Sequence, residues 1–180
     1  MVSGSRMISC KLCQAADCST LASRGPRTFH LCPRCGLVFV PERQWLSLDD
    51  ERARYRHHDN TPDSHGYVCF LNEVVAQVER LPLVGQSILD FGSGEQAVLT
   101  ELLKARGLTC TAYDPLYGRT QLAGPHALII MCEVIEHLRD VRGELARLRE
   151  VLLPDGKLLV RTQLYPSVEH IPAWWYSRHP

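Results

Sequence analysis

The chain has 180 residues, 45% of them hydrophobic, enough for one sizeable core and a small extra module. Twenty basic side chains balance twenty acidic ones and the isoelectric point is near 7.1, so no whole-chain field draws the molecule onto nucleic acid or an anionic membrane. No apolar run approaches the roughly 18 residues of a membrane span, and the polar opening Met1-Val-Ser-Gly-Ser-Arg6 lacks a signal peptide's apolar stretch, so the expectation is a soluble cytoplasmic protein with no membrane partner.

The first predicted unit, residues 1–41, is a cysteine module. Cys10-Lys-Leu-Cys13 and Cys32-Pro-Arg-Cys35 are two tight pairs separated by 18 residues, enough for a hairpin that brings both knuckles to one ion. In a reducing compartment such spacing favours tetrahedral zinc over a disulfide pair or unconnected thiols. Thr28–Cys32 reads as a strand entering the second knuckle, Gly36 as its turn and Leu37–Val40 as the strand leaving it, a zinc-ribbon layout. Four thiolates leave no open coordination position, so Cys10, Cys13, Cys32 and Cys35 are expected to hold a structural metal. Cys18 breaks the spacing and reads as a spare thiol. Cys69, Cys110 and Cys132 fall on apolar helix or strand positions, where inert burial is expected. Arg6, Lys11, Arg24, Arg27 and Arg34 against Asp17 bias the module towards positive charge, read as a solvated face with phosphate contact as the lesser alternative.

Residues 42–62 are a charged connector with a short helix, and His57 and His58 read as surface histidines, because adjacent histidines do not share a helical face. The third unit, 63–180, begins at the cap Asp63-Ser64. Val68, Leu71, Val74, Val75, Val78 and Leu81 follow at helical spacing until Pro82. Ile88-Leu89-Asp90 then forms a strand, Gly92 and Gly94 a turn, and Val98, Leu99, Leu102 and Leu103 a helix. Glycines let backbone approach a ligand, and the helix start offers free amides. Thr109–Tyr113 makes a second strand, ending at Asp114 about twenty residues beyond the turn, where a carboxylate can take both ribose hydroxyls of a nucleoside.

Gly92-Ser-Gly94-Glu-Gln-Ala97 also satisfies the dinucleotide fingerprint, so an NAD-dependent oxidoreductase is a rival reading. Asp90 separates the two: a pyrophosphate gains nothing from an adjacent carboxylate, whereas the ammonium of a ligand such as S-adenosylmethionine does. After the strand Leu128–Met131 comes Cys132-Glu133-Val-Ile-Glu136-His137-Leu138. Leu138, Val141, Leu145, Leu148 and Leu152 then read as an amphipathic helix ended by Pro154, with Asp155-Gly156 turning into a strand from Lys157 to Thr162.

At Leu89-Asp90-x-Gly92-x-Gly94, Tyr113-Asp114-Pro115, Glu133-Val-Ile-Glu136-His137-Leu138 and Leu153-Pro-Asp-Gly156-Lys-Leu-Leu-Val160, the chain resembles class I S-adenosylmethionine-dependent methyltransferases, over about residues 60 to 180. With the ribbon, the layout is similar to a bacterial group in which Cys-x-x-Cys pairs precede such a domain. The resemblance implies an α/β fold with a Rossmann-like, mostly parallel sheet and methyl transfer from S-adenosylmethionine. It places Asp90, Phe91, Gly92, Ser93 and Gly94 on the methionine and ribose side, Asp114 and Pro115 at the ribose hydroxyls, Cys132 and Glu133 at the reacting face, and Asn60 and Tyr67 over the methionine end. An acceptor that needs deprotonation would use His137 or His179.

The family's third glycine is Gln96 here, and its acidic residue at the fourth strand is Ala127. Only twelve residues separate Asp114 from Ala127, too few for the usual helix, third strand and helix, so the sheet is expected to be abbreviated. The chain ends soon after Trp174-Trp175-Tyr176, without the family's last two edge strands, which predicts a fragment or an edge completed by a second copy. Neutral charge favours a small-molecule acceptor over RNA. The rival to an enzyme is an interaction protein with a zinc ribbon on a degenerate methyltransferase core.

Overall fold

The computed structural model describes residues 8–55, 60–83 and 85–178. The chain divides into two compact units. One gathers the described residues up to Glu51, Arg139–Glu144 and the described residues from Gln163 on; the other comprises the described residues of Arg52–Leu138 and Leu145–Thr162.

In the first unit, β1 (Ser19–Arg24), β2 (Arg27–Leu31) and β3 (Val38–Phe39) form an antiparallel sheet in that order. Strand β1 adds to the two strands expected from sequence. Behind the sheet lies a small cluster of buried Cys10, Cys32 and Phe39 with Ile8, Leu12, Ala15, Cys18 and Leu37 packed on it. Tyr165 Oη donates to Gly36 O at 3.1 Å, tying the segment after Gln163 to the ribbon's second knuckle. Helix α1 (Leu48–Tyr55) supplies the short helix of the connector. The residues His57 and His58 lie outside those described.

The second unit is α/β. Helix α2 (His65–Val78) buries Leu71, Val74, Val75 and Val78, four side chains worth about 1.5–3 kcal/mol each in apolar transfer, against β4 (Ser87–Phe91) and its neighbours. Strand β4 leads to α3 (Val98–Ala105), β5 (Thr109–Tyr113) and β6 (His126–Cys132); α4 (Val141–Glu150) and β7 (Leu152–Arg161) follow. The sheet order is β5-β4-β6-β7, all parallel, as a Rossmann-like sheet requires. Ile88, Leu89, Leu128, Ile129, Ile130 and Met131 are fully buried, the unbroken apolar pattern of strands covered on both faces. Between β5 and β6 the described residues hold a 3-10 turn at Pro115–Tyr117 and no further strand, so β5 is one edge of the sheet and β7 the other.

Two boundaries differ from the expectation. Asp140 caps α4, its Oδ1 accepting the Gly143 N–H at 2.9 Å and its carbonyl the Glu144 N–H at 3.0 Å, so Leu138 precedes the helix. The helix ends at Glu150, and Leu152 already lies in β7. Pro154, Asp155 and Gly156 occupy a bulge, where the pairing jumps from His126↔Leu152 to Leu128↔Lys157. A bulge on an edge strand tolerates proline's missing donor, which is why Pro154 interrupts neither element. Among the three thiols expected to be buried, Cys110 is buried and Cys132 half-buried, but Cys69 is exposed on α2 beside His65.

Gln96 does not strain the glycine loop. It is exposed and has no positive φ; the left-handed position is Ala97, φ 47°, which precedes α3. A left-handed alanine carries about 1–2 kcal/mol of strain, against about 0.5–1 kcal/mol of added chain entropy for glycine. Ala97→Gly is therefore expected to leave stability unchanged or raise it by up to about 1 kcal/mol, read as an unchanged or higher urea midpoint at constant m-value.

Candidate functional site

The two Cys-x-x-Cys turns are built alike. Cys10 N–H donates to Ala15 O at 2.8 Å and Gln14 N–H to Cys10 O at 3.0 Å; Cys32 N–H donates to Leu37 O at 2.9 Å and Gly36 N–H to Cys32 O at 3.0 Å. Each turn closes on a left-handed residue, Gln14 (φ 63°) and Gly36 (φ 73°). This repeats one knuckle twice and aims four thiols at a common point. All four Sγ atoms lie within 4.8 Å of one another, with Cys10–Cys35 at 3.6 Å and Cys13–Cys32 at 3.4 Å. A tetrahedron with metal–sulfur bonds of about 2.3 Å has edges of about 3.8 Å, so the donor set fits zinc, and all four thiols are free of disulfides. Burial works against ionising Cys32, yet the backbone N–H groups of Cys35 and Arg34 and the neighbouring thiols bring it down to about 6, towards the thiolate that a metal needs. Cys18 is outside this four-thiol group but next to it: its thiol donates to Ala15 O at 3.6 Å and interacts with Cys32, and burial with these neighbouring thiols pushes it up to about 11.

In the α/β unit, the ends of β4, β5 and β6 converge. Gly92 N–H and Ser93 N–H both donate to Tyr113 O, at 2.8 and 3.2 Å, so the glycine loop hangs on the end of β5. Gly92 has φ 79°, and a Cβ there would lie 2.5 Å from Val134 Cγ2, so this position requires glycine. At Gly94, φ 71°, a Cβ would meet nothing within 4 Å: the loop faces open space on that side. Asp114 Oδ2 accepts the Gly94 N–H at 2.9 Å, and its Oδ1 accepts the Leu116 N–H at 3.0 Å. Burial raises the Asp114 carboxyl above its usual range, opposed by these two amides and by Arg119.

Asp90 is almost fully buried on β4, and Thr100 Oγ1 donates to its Oδ2 at 2.7 Å. Burial pushes the carboxyl up to about 6 in spite of that bond. Glu133 follows β6 with φ 54°, its N–H donating to Arg161 O at 2.8 Å. A non-glycine residue in this region stores strain that the surroundings must hold. Burial, then the charge and hydrogen bond of Glu136, push Glu133 up to about 7 against the pull of Arg161. Cys132, half-buried, rises to about 12 through burial and the charges of Asp90 and Glu133. The phenol of Tyr67 is pushed above its usual value by burial and by the charges of Cys132 and Asp90. The structure thus gathers Tyr67, Asp90, Cys132 and Glu133 at one end of the parallel sheet, next to Gly92, Ser93, Gly94 and Asp114.

The remaining residues predicted from sequence are placed differently. The ring of Phe91 stacks on Tyr113 at 4.9 Å in the core, leaving only its backbone at the loop. Pro115 is exposed and opens the 3-10 turn after Asp114. Asn60 is exposed ahead of α2. His137 closes the turn Ile135–His137, its ring edge-on to Tyr55 at 5.7 Å. His179 lies outside the described residues. A cleft of about 250 Å³ lined by Pro62, Val68, Gln96, Val98, Glu101 and Leu102 opens beside the loop, and neither Asp90 nor Asp114 lines it. Thr100 escaped the sequence reading; its signal was a polar residue on the otherwise apolar stripe of Val98, Leu99, Leu102 and Leu103.

A family model described as a methyltransferase domain matches residues 54–180. Among solved structures, the chain is similar to the crystal structure of coclaurine N-methyltransferase bound to N-methylheliamine and SAH, at 19% identity and a TM-score of 0.37, over 59% of this chain and 39% of that one. The chain therefore spans less than half the length of that protein. No curated protein matches.

Proposed function

The chain belongs to the methyltransferase-domain family, and on that footing we propose that it is an enzyme that moves a methyl group from S-adenosylmethionine to a small-molecule acceptor, with zinc held by Cys10, Cys13, Cys32 and Cys35 as a structural metal. The observation that supports this most is the site's electrostatics: Asp90, Asp114 and Glu133 all have raised carboxyls at one end of the sheet. Burial is the main cause of each rise, so these carboxyls ionise at a cost in lost solvation, which a ligand bearing an ammonium and a sulfonium would offset. When bound, S-adenosylmethionine supplies an electrophilic methyl group on its sulfonium.

The protein's contribution is mostly positioning. Asp114 keeps lone pairs for the ribose hydroxyls beyond those its two amide donors use. The open side of Gly94 would leave room for the ribose, and Asp90 would serve the amino-acid end. Cys132 and Glu133 would border the methyl, with Asn60 and Tyr67 over the methionine side. His137 is the candidate proton acceptor of this reading, with His179 the second and Glu133, poised near 7, the third. Neutral overall charge supports a small acceptor; methylation of RNA by the same chain would overturn that part alone. The exposed edge of β7, with Leu158 and Val160 38% and 39% exposed, is where a homodimer would form.

The test is the pH dependence of binding. A carboxyl raised on folding adds stability below about pH 4 that is lost as pH rises through about 6, for Asp90 on the order of 3 kcal/mol. A cationic ligand prefers the ionised form, so its affinity moves the opposite way. S-adenosylhomocysteine, which carries the ammonium, is expected to bind about tenfold more weakly at pH 5 than at pH 7.5. Affinity independent of pH across that window would remove Asp90 from the site. No binding at any pH favours the rival reading, an interaction module on a degenerate core.

A further inference from the structure

One side chain that no motif singled out ties the turn after β5 back onto the glycine loop. Arg119 stands five residues past Asp114. Its Nη1 donates to Gly94 O at 2.9 Å and its Nη2 to Glu95 O at 2.7 Å. Its backbone pairs with that of Asp114 in both directions, Asp114 N–H to Arg119 O and Arg119 N–H to Asp114 O, each 3.0 Å. Since Asp114 Oδ2 also accepts the Gly94 N–H, the contacts close a ring: Asp114 holds one side of Gly94 and Arg119 the other.

We infer that Arg119 is a positioning residue for the cofactor, fixing the Gly94 and Glu95 peptide planes and the Asp114 carboxylate in the arrangement that receives the ribose. The inference rests on the reading of this loop as the S-adenosylmethionine site. Gly94 sits at φ 71° with open space where a Cβ would be, so no side-chain packing fixes its peptides and the bonds to Asp114 and Arg119 must hold them. The guanidinium is suited to the task because its planar fork reaches two successive carbonyls at once, which a lysine ammonium does not. When the loop samples other arrangements, apparent affinity falls by the fraction of molecules that are competent to bind. The cation also opposes the rise of the Asp114 and Asp90 carboxyls, keeping them closer to their ionised forms.

The experiment is calorimetric titration of S-adenosylhomocysteine into the zinc-loaded chain and its Arg119→Ala, Arg119→Lys and Arg106→Ala variants, with the Gly94 amide followed by NMR in the ligand-free proteins. Arg106 is the control, a surface cation paired with exposed Glu79. Losing two charge-assisted bonds should weaken binding about tenfold or more in Arg119→Ala, while Arg119→Lys falls between it and the wild type and Arg106→Ala binds normally. The Gly94 cross-peak should shift or broaden in Arg119→Ala and recover in part with lysine, a graded rescue that a general loss of stability does not give. Equal affinity of wild type and Arg119→Ala overturns the inference. If Arg119→Ala fails to fold, wild-type affinity in Arg119→Lys overturns it instead. If the wild type does not bind S-adenosylhomocysteine, the cofactor reading is what fails, and an unchanged Gly94 signal in the variants overturns the positioning role separately.

Discussion

Cys32→Ser is expected to abolish metal binding and unfold the ribbon. Cys32 is buried in the centre of the module, 3.4 Å from Cys13 Sγ, and among the described residues the ribbon's three strands bury two large apolar side chains, Phe29 and Phe39. A core of that size does not hold a three-stranded sheet, since units this small depend on a metal or disulfides. Structural zinc supplies on the order of 10–16 kcal/mol in comparable modules, more than the few kcal/mol available from burying Phe29 and Phe39. Metal analysis should find one zinc per chain in the wild type and none in Cys32→Ser, with the amides of β2 losing protection from hydrogen exchange. Cys18→Ser should retain both, because a serine hydroxyl can replace that thiol's contacts to Ala15 O and Cys32 while the four knuckle thiols stay in place. A ribbon that keeps its protected amides in excess chelator would contradict the assignment.

Gly92→Ala carries the second large effect. The new methyl group must occupy a left-handed position, at about 1–2 kcal/mol, and it arrives 2.5 and 2.8 Å from the two γ carbons of Val134. Val134 packs against Leu89, Phe91, Tyr113, Ile129 and Met131, so moving it disturbs the cluster, at about a further 1–3 kcal/mol. A loss of about 2–5 kcal/mol in urea unfolding is expected, together with loss of S-adenosylhomocysteine binding. Adding Val134→Ala should relieve the clash but not the backbone, recovering part of the stability and little of the affinity. Unchanged stability in Gly92→Ala would mean that the loop is not held against Val134 as described.

Much of this was legible in the sequence, for definite reasons. The cysteine pairs declare themselves because a knuckle needs two thiols with two residues between them, and the glycine turn because Gly92 and Gly94, both at positive φ, stand between a buried strand and an apolar-striped helix. The run Leu128–Met131 reads as a covered strand because both of its faces are apolar. The twelve-residue gap after Asp114 foretold the missing strand by length alone. Strand β1 was not legible, since Ser19–Arg24 has no apolar alternation and gains its partner only through the hairpin. Leu138 and Leu152 continued a helical spacing that capping by Asp140 and the β7 bulge cut short at each end. Arg119 and Thr100 were hidden for another reason: each acts through a bond to a residue or backbone atom distant in the chain, and only the folded loop brings them together.

The central claim is that the α/β unit binds S-adenosylmethionine through Asp114 and the glycine loop. Calorimetric titration of S-adenosylhomocysteine into the zinc-loaded chain tests it most directly, run beside Asp114→Ala. The account predicts micromolar affinity in the wild type and no measurable heat in the variant. No binding by a folded, zinc-loaded wild type, or equal binding by Asp114→Ala, would contradict it.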